Sequence, residues 1–242
     1  MTTISTDVIL FDLDGTLVNS TLAVENSWTN QVNLHNQSHP SSPISLPELL
    51  HVTHGTRTID TFKKFFPELK TDPDSIEAWE REIVTNFGHL GHPIPGSSEF
   101  LQALNQAGLS DRWGIVTSGT TELAYAWYDK LFGTAGVERP GVFVTANDVG
   151  RGKPDPEGYL TAFGKIRDGL GREDKCEAIV FEDAPTGVKS GVNGGFLVVG
   201  IGSTFSKEVL VNAGAKYVVE DFTKVKLERS KNGRIILKLD IM

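Results

Sequence analysis

The stretch Val8-Ile9-Leu10-Phe11-Asp12-Leu13-Asp14-Gly15-Thr16-Leu17 constrains the fold more than any other part of the chain. Four apolar residues run into two aspartates and then a glycine. A short apolar run that stops at turn residues predicts a buried strand over residues 7–12. In an open parallel α/β sheet, ligands bind outside the carboxyl ends of the strands. An Asp-Gly turn after an ordinary strand would account for Gly15 and one aspartate. It would not account for two acids at the mouth of a buried strand, where like charges repel unless a cation or a proton holds them.

The next seventy residues have a different character. Val24, Trp28 and Val32 recur at helical spacing after Ser20, and helical patterns recur over 46–52, 57–66 and 74–88. Few β-branched runs occur here, so the segment reads as a helical insert that closes at the turn-rich Pro93-Ile94-Pro95-Gly96. Beyond it, strands and helices alternate. Strands are predicted at 113–117, 142–145, 177–181, 196–201 and 216–219, and helices at 97–107, 120–132, 156–167 and 206–213. That alternation implies a parallel sheet with right-handed crossovers. Two apolar-alternating segments flank Lys231-Asn232-Gly233 and predict a terminal hairpin.

Polar groups fall at three further strand ends. Thr117-Ser118-Gly119 offers a hydroxyl and backbone N–H groups at a helix start, which suits an oxyanion or a phosphate; Thr117 would serve equally as a helix cap. Lys153 precedes Asp155-Pro156, a cap and first-turn pair, and is either a solvated loop lysine or a cation that neutralises clustered acids. A Walker A loop is excluded, because Asn147 and Pro154 occupy a glycine and a hydroxyl position of that motif. Glu182-Asp183 ends a third apolar run. Hard oxygen donors without thiolates suit Mg²⁺ rather than zinc.

Charge and cysteine content narrow the class. A formal net charge of -8 and the lack of a basic stripe disfavour nucleic acid as a partner. The single Cys176 forms no internal disulfide. No apolar run approaches membrane-spanning length, so a cytoplasmic protein without a membrane partner is expected. All six histidines lie between His35 and His92. Two pairs have H-x-x-H spacing, but without cysteine partners they read as structural or solvent-facing rather than as a zinc site.

Four ordered motifs, Asp12-Leu13-Asp14-Gly15-Thr16, Thr117-Ser118-Gly119, Gly152-Lys153-Pro154 and Glu182-Asp183, resemble the haloacid-dehalogenase-like (HAD) superfamily of aspartyl-nucleophile hydrolases. His54-Gly55-Thr56-Arg57-Thr58, Thr145-Ala146-Asn147-Asp148-Val149 and the run from Val180 to Gly187 extend the likeness to the fungal sugar- and polyol-phosphate phosphatases. That group includes 2-deoxyglucose-6-phosphate and glycerol-phosphate phosphatases. The resemblance implies an α/β fold with a Rossmann-like parallel sheet core over 1–17 and 94–242. A small α-helical cap domain would occupy 18–93. One departure is Ser190-Gly191-Val192-Asn193-Gly194-Gly195, where relatives are richer in alanine. These glycines are expected to weaken the helix by about 1 kcal/mol each.

By that resemblance Asp12 is the nucleophile and Asp14 the general acid and base. Thr117, the Ser118 N–H, Gly119 and Lys153 hold the phosphoryl oxygens, and Thr16 steadies the loop and is grouped with the substrate-binding residues. Mg²⁺ is held by Asp12, Asp14 (through its carbonyl) and Asp183, with Glu182 behind them. Arg57, then His54, are the cap residues expected to reach substrate, although Arg57 serves equally well as a surface ion pair. The implied activity is Mg²⁺-dependent hydrolysis of a small phosphorylated sugar or polyol by a monomer. The alternative is a phosphosugar mutase of the β-phosphoglucomutase type, but such mutases more often carry an apolar residue where Thr16 stands. A non-catalytic scaffold would have lost one of these positions, and a dehalogenase needs neither the second aspartate nor a metal.

Overall fold

The computed structural model describes residues 1–171, 176–228 and 233–242. In chain order it contains β1 (Thr2–Thr6), β2 (Val8–Phe11), β3 (Val18–Asn19), α1 (Thr21–Ser38), α2 (Leu46–Thr53), α3 (Thr58–Phe65), α4 (Pro73–Phe87) and β4 (His92–Pro93). There follow α5 (Ser97–Gln106), β5 (Trp113–Val116), α6 (Thr121–Leu131), β6 (Val142–Val144), α7 (Glu157–Gly169), β7 (Ala178–Glu182) and α8 (Pro185–Asn193). The chain ends with β8 (Leu197–Ile201), α9 (Lys207–Ala213), β9 (Tyr217–Val219), β10 (Val225–Glu228) and β11 (Ile235–Leu239).

Six strands form one parallel sheet in the order β6-β5-β2-β7-β8-β9. The central β2 is buried at all four positions, as expected for a strand covered on both faces. Its residues alternate between two cores, with period 2. Ile9 and Phe11 join the cluster containing Phe100, Phe181 and Phe222, and Val8 and Leu10 join the one containing Tyr159 and Val188. Phe11 stacks on Phe181 with centroids 5.4 Å apart. These aromatics lie directly beneath the acidic strand ends and make that part of the sheet rigid.

The strand expected over 7–12 is shorter, and another precedes it. Residues 2–6 alternate in burial and pair antiparallel with β11, which also pairs with β10. Thr2–Thr6 carries one large apolar residue, Ile4, so it lacks the apolar run that marks the central strands. The β10 and β11 strands of the expected hairpin are present; Lys231 and Asn232 of its turn lie outside the described residues.

Between the paired β3 and β4 the chain is helical, and α1 to α4 bury a core of their own around Trp28, Val32, Phe62, Phe66 and Ile76. The Asp72 carboxylate caps α4, accepting the Ser75 N–H at 3.0 Å, which satisfies one orphan donor of that helix. The chain leaves and re-enters the sheet region through this two-strand neck, so the helical segment sits over the ends of β2 and β5.

Candidate active site

Parallel pairing brings the polar strand ends together. The Asp12 N–H donates to the Phe181 carbonyl at 3.0 Å, which places Asp12 beside the end of β7. One carboxylate oxygen from each of Asp12, Glu182 and Asp183 lies within 4.8 Å of the others. All three residues are buried. Lys153 reaches this cluster from the loop before α7. Its Nζ is 2.6 Å from Asp12 Oδ1 and 2.6 Å from Glu182 Oε1.

The electrostatics follow from burial. Loss of water pushes the Asp12 carboxyl up to about 7; Lys153 opposes the rise, while Glu182 and Asp14 add to it. Burial also raises Asp183 well above the usual carboxylate range, with Asp12 and Glu182 reinforcing it. Burial works against charge on Lys153, but the Asp12 and Glu182 carboxylates outweigh it and hold its pKa above the ordinary value. Three acids and one lysine leave the cluster short of positive charge. Asp12 Oδ2 is buried with no hydrogen-bond partner among the described residues. Buried carboxylate oxygens in excess of the nearby positive charge form an all-oxygen donor set that fits a hard divalent cation.

Asp14 stands apart from this cluster. It is half-buried, with Oδ1 accepting the Ser20 hydroxyl at 2.6 Å and Oδ2 the Thr117 hydroxyl at 3.4 Å. Burial raises its pKa and these two hydrogen bonds partly offset the rise. Gly15 lets the backbone after Asp14 turn close against Asp183. Its φ is +88°, and a Cβ there would fall 2.0 Å from Asp183 Oδ2, so no other residue fits.

The other expected residues fall as follows. The Gly119 N–H donates to Thr117 Oγ1 at 3.1 Å, and the Ser118 hydroxyl donates to the Gly55 carbonyl at 2.8 Å, joining this loop to the helical segment. Thr16 is fully buried and its hydroxyl donates to Asp183 Oδ1 at 3.3 Å; it supports a carboxylate rather than facing the cavity. Glu182 holds Lys153 and also accepts the Ala184 N–H at 3.1 Å. Arg57 pairs with Asp60 at 2.8 Å and donates to the Val149 and Gly150 carbonyls at 3.3 Å. It spans from α3 to the loop before Lys153. His54 packs edge-to-face on Phe205 and lies 3.3 Å from Glu25.

Three residues at the site carry no assigned role in the sequence reading. Tyr159 donates its hydroxyl to Glu182 Oε1 at 3.0 Å, beneath Lys153. Ser20 sits where a helix cap belongs but turns its hydroxyl to Asp14 instead. Glu80 of α4 is fully buried; it accepts the Thr58 hydroxyl at 2.5 Å and the Thr120 N–H at 2.8 Å. The signal for Glu80 was available, since it falls at helical spacing between Ile76 and Ile83 on the apolar face of α4.

A cavity extends from Asp14 and Ser118 up to Trp28, Trp79 and Glu80 of the helical segment. The site therefore has an anionic, cation-demanding floor, an aspartate with a raised pKa beside it, and a roof contributed by the helical segment.

The chain is similar to known proteins over most of its length. The haloacid dehalogenase-like hydrolase family model matches residues 6–195. The 2-deoxyglucose-6-phosphate phosphatase 2 of Saccharomyces cerevisiae is 39% identical over 98% of this chain and 96% of its own. Glycerol-1-phosphate phosphohydrolase 1 of the same yeast is 35% identical over 90% of this chain and 83% of its own. Among solved structures, a hydrolase from Pseudomonas syringae superposes with a TM-score of 0.70 at 24% identity, covering 90% of this chain and 94% of that one.

Proposed function

The chain belongs to the haloacid dehalogenase-like hydrolase family, and from that premise we propose that it is a Mg²⁺-dependent phosphatase of small sugar or polyol phosphate monoesters. The observation that carries this reading is the Asp12 carboxylate. Lys153 fixes Oδ1 at 2.6 Å while buried Oδ2 has no hydrogen-bond partner among the described residues, so one oxygen is oriented and the other is left for chemistry.

Asp12 Oδ2 attacks phosphorus, the ester P–O bond breaks, and an aspartyl-phosphate forms. Asp14 gives its proton to the departing alkoxide oxygen; burial raises its pKa, the direction that favours holding the proton. Asp14, now a carboxylate, takes a proton from water, which attacks the same phosphorus. The bond to Asp12 breaks, releasing inorganic phosphate and restoring both carboxyl groups. Lys153 and the Thr117-Ser118 loop offer positive charge and donors to the transferring oxygens. Asp12, the Asp14 carbonyl and Asp183 would hold Mg²⁺, which neutralises charge between two anionic reactants when bound. The roof formed by α1 and α4 keeps bulk water from the acyl-phosphate.

Asp12→Asn keeps the side-chain volume and removes the nucleophile. With the fold verified by circular dichroism, it should release no phosphate from 2-deoxyglucose 6-phosphate or glycerol 1-phosphate; retained turnover would refute the assignment. Phosphate release by the parent enzyme without added bisphosphate separates hydrolysis from a mutase cycle.

A further inference from the structure

The cavity above Asp14 has a distinct charge character. Among the described residues lining it, none is lysine or arginine. Arg57, a cation of the same segment, is turned away onto Asp60 and two loop carbonyls. His54, the remaining basic lining group, is tied to Glu25. The acids are Asp14 at the floor and Glu80 at the roof. Trp28 and Trp79, 4.3 Å apart between ring centroids, supply apolar wall. Lys153, proposed above to hold the phosphoryl oxygens, does not line this cavity but an adjoining one, with Arg57, Thr117 and Ser118.

Burial raises the pKa of Glu80, and the hydrogen bonds it accepts oppose that rise and favour the carboxylate. Its two oxygens accept from Thr58 and from the backbone N–H of Thr120, and the N–H can only donate. A carboxylate has about four acceptor positions, so positions remain for hydroxyl donors from a ligand. A second negative charge on the ligand would meet Glu80, and no lysine or arginine among the described lining residues would pair with it.

We propose that Glu80 is the specificity residue of this site: it accepts hydrogen bonds from the neutral, hydroxyl-bearing part of a monophosphate and rejects esters that carry a second anionic group. This rests on the phosphatase reading and deepens it. The excluded class comprises bisphosphates and phosphorylated carboxylic acids; the accepted class comprises polyol and sugar monophosphates.

A matched substrate pair tests this. Glycerol 1-phosphate and 3-phosphoglycerate have the same carbon count and differ by a hydroxymethyl against a carboxylate. The wild-type enzyme with Mg²⁺ should favour the neutral ester in kcat/KM by about 100-fold, the order expected for like charges at close range. Glu80→Gln keeps both local hydrogen bonds, since its oxygen accepts from Thr120 and its amide donates to Thr58. That variant should narrow the preference at least ~10-fold, chiefly through KM for the acid. A merely structural role would lower both rates together and leave their ratio unchanged. A wild-type ratio near one, or an unchanged ratio in folded Glu80→Gln, overturns the proposal. Calorimetric binding of the two esters to Asp12→Asn, with and without Glu80→Gln, reads the same discrimination without turnover. If the wild type releases no phosphate from any monoester, the phosphatase reading fails, and the binding ratio still decides the role of Glu80.

Discussion

Lys153→Met in metal-free protein probes the reasoning about the acidic cluster most directly. Methionine nearly fills the lysine volume but removes the charge that pairs with Asp12 and Glu182 at 2.6 Å each. Removing one partner of a buried ion pair costs about 3–5 kcal/mol, because the remaining charge is left unpaired. At about 2–4 °C per kcal/mol for a chain of this size, the melting temperature in EDTA at pH 7.5 should fall by roughly 6–20 °C. The penalty should shrink on acidification. The Asp12 carboxyl stands at about 7 even with Lys153 present, against 3.8 for an unperturbed aspartate, and without the lysine it rises further. Between those limits the native state binds more protons than the unfolded state, so stability falls as pH rises through the window and is recovered as pH drops. Adding Asp12→Asn to the variant should restore part of the loss at pH 7.5, as expected for coupled neighbours. A single variant that melts within about 2 °C of the parent at pH 7.5, or whose penalty grows at pH 5, would refute this account of the cluster.

Three further outcomes follow from the same geometry. Gly187→Ala would place a Cβ 1.6 Å from Glu182 Oε1 and should cost at least about 1–3 kcal/mol, with turnover falling as Glu182 and then Lys153 are displaced; urea denaturation and a rate assay read both. Ser20→Ala removes a hydrogen bond that lowers the Asp14 pKa, so the acid keeps its proton to higher pH and the alkaline limb of kcat/KM should move upward; a downward move would contradict the acid role. Mg²⁺ at 100 times its pH 8 dissociation constant should stabilise the folded protein by about 2.7 kcal/mol, and the same concentration should stabilise it less at pH 5, because protons compete for the same carboxylates; differential scanning fluorimetry would show whether that order holds.

The parallel sheet was readable from the chain because its central strands are short apolar runs, each closed by a polar group. A strand buried on both faces leaves no alternation to misread, and β2, β5 and β7 are of that kind. Strand β1 was not readable, since its polar residues give no run and its partner β11 is more than 200 residues away. Asp155 was expected to cap a helix starting at Pro156; it does accept the Glu157 N–H at 3.0 Å, but the helix begins one residue later. The glycines expected only to weaken α8 have a packing reason that sequence alone hides. A Cβ at Gly191 would lie 2.7 Å from Val198 Cγ2, so this glycine lets α8 approach β8. Ser20 eluded the sequence because it looks like an ordinary helix cap until tertiary contacts turn its hydroxyl to Asp14, whereas Glu80 was marked by its place on the apolar face of α4.

The acidic cluster is imposed by the backbone, and this explains why the site demands a cation. Leu10 pairs with Val180 and Phe11 with Phe181 in parallel register. Once that register is set, Asp12 must emerge next to Glu182 and Asp183. A one-residue slip would turn every side chain of β2 to the opposite face, exchanging Phe11 with Leu10 and breaking the stack of Phe11 on Phe181. The aromatic core therefore holds the carboxylates together against their repulsion. The chain supplies one lysine there, two charges short of neutralising three carboxylates, and leaves Asp12 Oδ2 without a partner among the described residues. Charge balance then has to come from protons, from a divalent cation or from the donors that accompany a substrate. A site held in that state is stabilised most by whatever completes it, so binding energy is available at the atom where a nucleophile is needed.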